Sequence, residues 1–210
     1  MKKFFVIIVL FALPIVAYLF FASGVNNFAK LPVLEENIGD LEDFRTLEGE
    51  KLVFQEKITL LGFYGNEPSQ YVGNAFNLAE KIYNTYYEFN DFQLVVVAPE
   101  EAAEELRKVK MEIGEVADLS SWKFVVGEPK EIKSLFSSLN TNMKLHDDLS
   151  TPHVFIIDKN ENLRGRSDDG EEGKLYGYDT GSVAELNNKM EDDVKVILAE
   201  YRLALKKYNK

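Results

Sequence analysis

The chain has 210 residues, 46% of them hydrophobic and 12% aromatic, which suits one well-packed domain with an appendage but hardly two full domains. A formal net charge of −11, with 35 acidic residues against 24 lysines and arginines, argues against a nucleic-acid partner, because phosphate binding needs clustered positive charge. With no cysteine the chain can form no disulfide and no thiolate metal site, and the ordinary thiol-disulfide and peroxidase reactions are excluded, so we expect no enzyme of those kinds.

The first predicted element is an uncharged run at residues 4–22 (FFVIIVLFALPIVAYLFFA), which follows Lys2 and Lys3. At helical rise this run reaches about 28 Å, one hydrocarbon core, and it is longer than the ~7–15-residue apolar core of a signal peptide. The sequence favours an uncleaved membrane anchor at 1–24, with signal-peptide cleavage after Ala22-Ser23-Gly24 as the alternative. Because lysines favour the cytoplasmic side, we expect a single-pass protein of the cytoplasmic membrane whose C-terminal domain is extracytoplasmic, in the periplasm.

A polar tether is predicted at 25–43, and a folded domain at 44–210. The domain should open with a hairpin that turns at Gly49, between short strands at 44–47 and 52–54. Its first main strand, 57–63 (KITLLGF), is a nearly continuous apolar run, which is typical of a central strand covered on both faces.

Strands and helices then alternate. A loop at 64–73 leads into a helix, and two later helices are predicted to begin near Pro99 and Pro129. The last helix begins at a capping box formed by Ser182 and Glu185. The remaining strands are predicted at 92–98, 122–126 and 153–158, the last pairing with 163–166 across a turn. The order βαβαβαββα predicts an α/β fold, a thioredoxin-like central mixed sheet flanked by helices, with an N-terminal transmembrane helix.

Two segments carry a family resemblance. Thr151-Pro152, followed by an apolar strand and DKNEN, resembles the thioredoxin-fold segment in which a cis-proline faces the active-site loop. Trp122-x-Phe124-x-x-Gly127 resembles the WxFxxG segment of SCO proteins. The chain thus resembles the SCO/SenC branch of the thioredoxin-like superfamily over residues 44–207. The resemblance implies that Pro152 is a cis-proline and that the protein assists cytochrome oxidase assembly, with respiratory oxidase subunits as its partners.

The positions at which this chain differs from SCO proteins determine which mechanism we expect for it. SCO proteins bind copper through two cysteines in the loop after the first strand and a histidine before the late strand. This chain has polar residues and a proline in that loop, and the family's histidine aligns near Ser150. We therefore expect a non-catalytic protein that binds its partner without thiol redox activity. Its binding surface, the partner edge, is predicted to comprise Tyr64, Asn66, Glu67, Pro68, Ser69, Thr151, Pro152 and His153.

The alternative is a copper or other metal chaperone that uses His153 with carboxylates. Its further ligands would come from His146, Asp147, Asp148 and Glu67, but two histidines and carboxylates without fixed spacing do not define a metal site. A hydrogen-bonded structural or interface role is the competing interpretation of His153. Ser69 and Ser150 beside His153 lack the GxSxG pattern of a serine nucleophile, so we expect no such site.

Three other patterns leave two interpretations each. The acidic run 168–172 lacks the ligand spacing of an EF-hand, so a solvated loop is preferred over a calcium site. Arg164 and Arg166 share one strand face, where they pair with Asp168 and Asp169 or bind an anionic partner. Loop tyrosines suit either protein contacts or ordinary packing. The tyrosines concerned are Tyr64, Tyr71, Tyr176 and Tyr178.

Overall fold

The computed structural model describes residues 4, 10–16, 18 and 30–208, with side chains described as far as residue 202. Among these residues, no helix combines the length and the apolar character needed to cross a membrane. Most of the anchor predicted at 4–22, together with the cleavage alternative and the start of the tether, lies outside the described residues. The anchor therefore stays a prediction from the sequence.

Ten strands are present in the described chain. They are β1 (Val33–Glu35), β2 (Arg45–Thr46), β3 (Ile58–Tyr64), β4 (Phe92–Pro99), β5 (Trp122–Gly127), β6 (Ser150–Ile157), β7 (Leu163–Arg164), β8 (Arg166–Asp169), β9 (Gly173–Leu175) and β10 (Tyr178–Asp179). The main sheet has the order β1-β7-β6-β3-β4-β5-β2, with β10 also paired to β6, while β8 and β9 form a separate hairpin. Strands β3, β4 and β5 are parallel and β6 is antiparallel to β3, which confirms the predicted mixed sheet.

Four helices flank this sheet. Two of them contain a π-helical turn. Helix α1 comprises Val72–Leu78 and Asn84–Tyr86, joined by the π-helical turn Ala79–Tyr83. Helix α4 comprises Val183–Glu185 and Glu191–Tyr208, joined by the π-helical turn Leu186–Met190. The others are α2 (Ala103–Gly114) and α3 (Pro129–Ser138), and 3-10 turns at Pro68–Tyr71 and Glu100–Ala102 lead into α1 and α2.

The side chains of the central strands alternate between two apolar layers. Leu60 and Val96 pack with α1, α2 and α4 on one face of the sheet. Leu61 and Val97 pack with α3 and with the chain before β3 on the other face. Every residue of β3 and β4 is buried, as the continuous apolar runs predicted.

The predicted tether and hairpin need correction. Residues 30–43 are part of the domain rather than a tether, because Leu31, Ile38 and Leu41 are buried and β1 pairs with β7. Strand β2 runs antiparallel to β5 instead of forming a hairpin with 52–54. The Phe44 ring packs so closely on Gly127 that a Cβ there would lie 2.5 Å from the nearest ring atom, so this edge pairing depends on a glycine 83 residues away.

The hairpin of β6 and β7 is confirmed, with Ile157 opposite Leu163. The N-terminal cap of α4 is confirmed in part: the backbone N–H of Glu185 donates to the Ser182 hydroxyl at 3.2 Å. The carboxylate of Glu185, however, accepts from the N–H of Asp179 at 3.0 Å, whereas a capping box would have it accept from Ser182.

Candidate functional site

The predicted partner edge lies where β3 ends beside the start of β6. Tyr64 is opposite Ser150 and Gly62 is opposite Val154, but Phe63 is opposite Thr151, so Pro152 and His153 have no partner residue on β3. Here β6 bulges and turns towards β10. The Pro152 carbonyl accepts hydrogen bonds from the N–H and the hydroxyl of Thr180, at 3.0 and 2.7 Å.

The peptide bond between Thr151 and Pro152 is not cis, since the described chain contains no cis peptide bond. The sequence-based prediction of a cis-proline is therefore wrong. The loop with this trans peptide bond contains the two-residue bulge of β6 and is bonded to Thr180. Thr180 is positioned in turn by the Asn74 amide, which donates to its hydroxyl at 2.9 Å.

A buried hydroxyl joins the two sides of the edge. The Ser150 side chain is only 1% exposed and donates to the Asp148 carboxylate at 2.6 Å. It accepts from the Tyr71 hydroxyl at 2.9 Å, and the Nδ1 atom of His146 lies 3.3 Å away. The backbone N–H of Asn66 donates to the Asp148 carbonyl at 2.8 Å, which is a second link between the same two segments.

This geometry does not make Ser150 a nucleophile. Its hydroxyl is buried and donates to a carboxylate, and its histidine neighbour is the exposed His146 rather than His153. Attack on a substrate would need an accessible oxygen and a base oriented by a third group. The arrangement instead fixes the shape of the edge with hydrogen bonds.

Replacing Ser150 with alanine should therefore loosen this edge. The change removes two hydrogen bonds and leaves the half-buried Tyr71 hydroxyl without its partner, at a cost of about 1–3 kcal/mol. We expect a lower midpoint in urea unfolding with an unchanged slope. Ser137→Ala, at an exposed position of α3, is the matched control and should stay within about 0.5 kcal/mol of the original chain. Equal stability of the two variants would contradict the linking role of Ser150.

The tyrosines of the edge are packed together. The rings of Tyr64 and Tyr71 are stacked, with centroids 5.3 Å apart, and burial raises the pKa of the Tyr64 phenol far above its usual range. Tyr178 is also fully buried, whereas Tyr71 and Tyr176 are half-buried. The packing interpretation is thus confirmed for Tyr64 and Tyr178, and Tyr64 presents no contact surface to a partner.

Most of the other predicted residues of the edge are accessible. Asn66, Glu67 and Ser69 are exposed, and His153 is half-buried with its Nδ1 atom 3.1 Å from the Thr151 hydroxyl. Pro68 is buried below them. The exposed part of the edge is therefore a short polar ridge supported by a packed base.

The fold resembles known structures, although neither the protein-family models nor the curated proteins include a match to this chain. BsSco, a member of the Sco family of cytochrome c oxidase assembly proteins, is similar with a TM-score of 0.55 at 12% identity, over 79% of this chain and 94% of that one. ScoI of Arabidopsis thaliana, solved with copper bound, gives 0.50 at 17% identity, over 75% and 98%. The fold is thioredoxin-like, as in the Sco proteins. At these identities the likeness establishes the fold alone.

Within this thioredoxin-like fold, the candidate metal ligands are not brought together. His146 lies beside Ser150, His153 beside Thr151, and the Glu67 carboxylate accepts from the Gln70 amide. In the part of the chain that the structure describes, no three His, Asp or Glu side chains are placed to hold a metal ion. The described geometry therefore offers no ligand set for the metal-chaperone alternative.

Of the pairs predicted for the two arginines, the one between Arg166 and Asp169 is confirmed, and both arginines also have other partners. Arg164 is buried and pairs with Asp158 at 2.8 Å and Glu200 at 2.7 Å. Arg166 pairs with Asp193 at 2.7 Å and lies 3.8 Å from Asp169. Both guanidinium groups are thus bound within the domain, which leaves no free pair for an anionic partner.

The acidic run 168–172 is the tip of the β8–β9 hairpin rather than a freely solvated loop. Asp169 is buried, and the Lys189 ammonium 3.0 Å away lowers the pKa of its carboxyl group. Glu171 and Glu172 are exposed, and their N–H groups both donate to Asp169. The predicted solvation holds for the glutamates and is wrong for Asp169.

The positioning roles of three residues at the edge were not predicted from the sequence. Asp148 and Thr180 lie in loops, where no periodicity marks a contact, and each bonds a segment distant in sequence. Gly65 has φ +62°, a backbone conformation that favours glycine, directly after the apolar run of β3. A glycine at the end of a strand was a usable signal for a tight turn here.

Proposed function

We propose that this protein is a membrane-anchored, extracytoplasmic thioredoxin-like protein that binds another protein through the partner edge. It takes part in the assembly or maintenance of a respiratory oxidase and carries out no thiol redox reaction. One observation carries the proposal: at the end of β3 the chain has a hydrogen-bonded, rigid edge with exposed polar side chains and no sulfur atom.

The chemistry of the edge supports binding. Ordering a loop on binding costs conformational entropy, and a surface that is already fixed avoids most of that cost. Tyr71, Ser150 and Asp148 fix the two sides of this edge before any partner arrives. Asn66, Glu67 and Ser69 are exposed there. Ser69 donates to the Glu105 carboxylate and Glu67 accepts from Gln70, and these bonds hold the remaining polar atoms of the edge in a constant arrangement.

Two further observations support the proposed membrane location and the proposed role in oxidase assembly. The uncharged run at 4–22 has the length of a membrane anchor, and oxidase subunits are integral membrane proteins within reach of such a domain. BsSco, which has a similar fold, belongs to a family of cytochrome c oxidase assembly proteins. An oxidase subunit, or another membrane protein of its assembly, is the partner we propose.

Affinity purification tests this proposal. The tagged full chain, extracted in mild detergent, should recover membrane subunits of a respiratory oxidase above the level of an untagged strain, as measured by mass spectrometry. A double variant, Asn66→Arg with Glu67→Arg, should reduce this recovery about tenfold, the effect of losing about 1.4 kcal/mol of binding free energy.

The matched control is Met111→Arg, which also places a new positive charge at an exposed position, on α2. Its recovery of subunits should equal that of the original chain. The proposal fails if no partner rises above the untagged background. It also fails if both variants lose the partner equally, because the binding would then depend on charge rather than on this edge.

A further inference from the structure

A second surface lies at the opposite end of the sheet from the partner edge. A cavity there is floored by Ile58, the first residue of β3, and lined in part by Asn90 and Asp91, whose carboxylate pairs with the Lys159 ammonium at 2.5 Å. Its other lining residues form what we call the basal surface: Phe89, Leu198, Tyr201 and Arg202. Phe89 is 44% exposed. Since Tyr64 ends β3 at the partner edge, the length of that strand, about 20 Å, separates the two surfaces.

The chain enters the domain beside this basal surface. The carbonyl of Leu31 accepts a hydrogen bond from Nε of Arg164 at 2.8 Å, and the same guanidinium pairs with Glu200, the residue before Tyr201. Leu31 is itself buried. Eight residues, 23–30, separate this fixed point from the uncharged run at 4–22, and they span at most about 28 Å.

The charge of the last nine residues differs from that of the rest of the chain. From Arg202 onward the sequence RLALKKYNK contains Lys206, Lys207 and Lys210 and no acidic residue, in a protein whose net charge is −11. The backbone of α4 continues as a helix to Tyr208, about 10 Å past Tyr201. A basic helix end with leucines between its charges is typical of segments that lie on anionic membranes.

We propose that the basal surface and the cationic end of α4 lie on the anionic phospholipid headgroups around the protein's own anchor. Phe89 enters the headgroup region and the partner edge faces away from the bilayer. This inference rests on the proposed anchoring. It adds to the proposed function a condition on the partner: the partner's contact site must lie in the portion of that protein that projects from the membrane.

The absence of cysteine makes a direct test practicable, since one introduced cysteine is the only site that a thiol-reactive nitroxide can label. Phe89→Cys carries the label on the basal surface. Val183→Cys is the matched control, because Val183 is similarly exposed, at 40%, and lies at the other end of α4 from Tyr201. The labelled full chains are reconstituted in nanodiscs of phosphatidylcholine and phosphatidylglycerol. Collision rates with oxygen and with a water-soluble nickel complex are then measured by electron paramagnetic resonance.

At position 89 the ratio of oxygen to nickel collisions should exceed that at position 183 about tenfold, because the label should lie roughly 5–10 Å into the headgroup and acyl boundary. Pure phosphatidylcholine, or Lys206→Glu with Lys207→Glu, should reduce that difference, since the electrostatic attraction is then lost. A label at Arg202→Cys, on a different element of the same surface, should repeat the result and so exclude a local folding defect at position 89.

Each other outcome has a separate meaning. If the chain fails to float with lipid vesicles, the anchoring itself is wrong and both proposals fall. If the chain floats but the labels at 89 and 183 give equal, water-like ratios, only the orientation on the membrane is overturned. If the label at 89 is shielded from both reagents in detergent as well as in lipid, a second copy of the chain or another protein covers the basal surface, and the membrane contact is overturned.

Discussion

Replacing Arg164 with alanine is expected to cost the folded domain about 3–5 kcal/mol, because the change leaves a buried carboxylate without its counter-charge. The side chains of Arg164 and Asp158 are 4% and 2% exposed and their charged groups are 2.8 Å apart. Asp158 cannot turn towards water, since its Oδ1 atom accepts from the N–H groups of Asn160 and Asn162 in the β6–β7 turn. The loss is a large fraction of the total stability of an ordinary domain, which is about 5–15 kcal/mol.

The same substitution also frees the point where the chain enters the domain. Arg164 is the donor to the Leu31 carbonyl and the partner of Glu200 in α4, so it joins the start of the domain, the sheet and the last helix. Urea unfolding of the full chain in detergent, followed by circular dichroism, should show a large fall in midpoint or no folded baseline.

Arg107→Ala is the matched control for this prediction. Arg107 also pairs with a carboxylate, Glu104, but its side chain is 46% exposed, and such surface pairs contribute about 0–1 kcal/mol. Its midpoint should stay close to that of the original chain. If Arg164→Ala lost no more stability than Arg107→Ala, the buried network would be shown not to hold the domain together.

The main layers of the fold were predictable because they depend on short-range patterns. The continuous apolar runs of β3 and β4 predicted central strands, and the apolar spacing in α1, α2 and α4 predicted helices on the sheet. The antiparallel β6–β7 hairpin followed from two strands joined by a short turn. In each case the residues that determine the element are neighbours in sequence.

Contacts between distant segments were not predictable in the same way. The polar composition of 30–43 indicated a tether, but three apolar side chains within it find places in the core. Strand β2 pairs with β5 because Gly127 leaves room for the ring of Phe44, and no local pattern records such a fit. The partners of Arg164 depend likewise on the final approach of α4 to the sheet.

The location of the candidate site was predictable, but the hydrogen bonds that hold its loops together were not. Because β3 and β6 were recognised, the loops at their adjacent ends could be expected to meet, and Asn66, Glu67, Ser69 and His153 do lie there. The groups that hold the loops, Asp148 and Thr180, have no distinguishing pattern in the sequence. Pro152 has a trans peptide bond within a bulge that only the pairing of both strands reveals.

Replacing Gly65 with alanine is the change that should disturb this site most. Gly65 has φ +62°, where an alanine side chain costs about 1–2 kcal/mol. A Cβ there would also lie 2.8 Å from the Ser150 Cβ and 2.9 Å from its nitrogen, and still closer to the Asp148 carbonyl. These atoms belong to or adjoin the backbone and cannot turn away, so overpacking adds about 1–3 kcal/mol.

A glycine elsewhere in the chain separates the two causes. Gly49 has φ +86°, and nothing lies within 4 Å of a Cβ built on it, so Gly49→Ala carries the backbone strain without the clash. In urea unfolding we expect Gly65→Ala to lose more stability than Gly49→Ala, by about the overpacking contribution of 1–3 kcal/mol. Because the clash falls on the atoms that join the two sides of the partner edge, Gly65→Ala should also fail to recover the partner in the affinity purification, whereas Gly49→Ala should recover it in full. Equal losses of stability would mean that the close approach of these two loops does not stabilise the domain, and equal recovery would mean that it does not shape the binding surface.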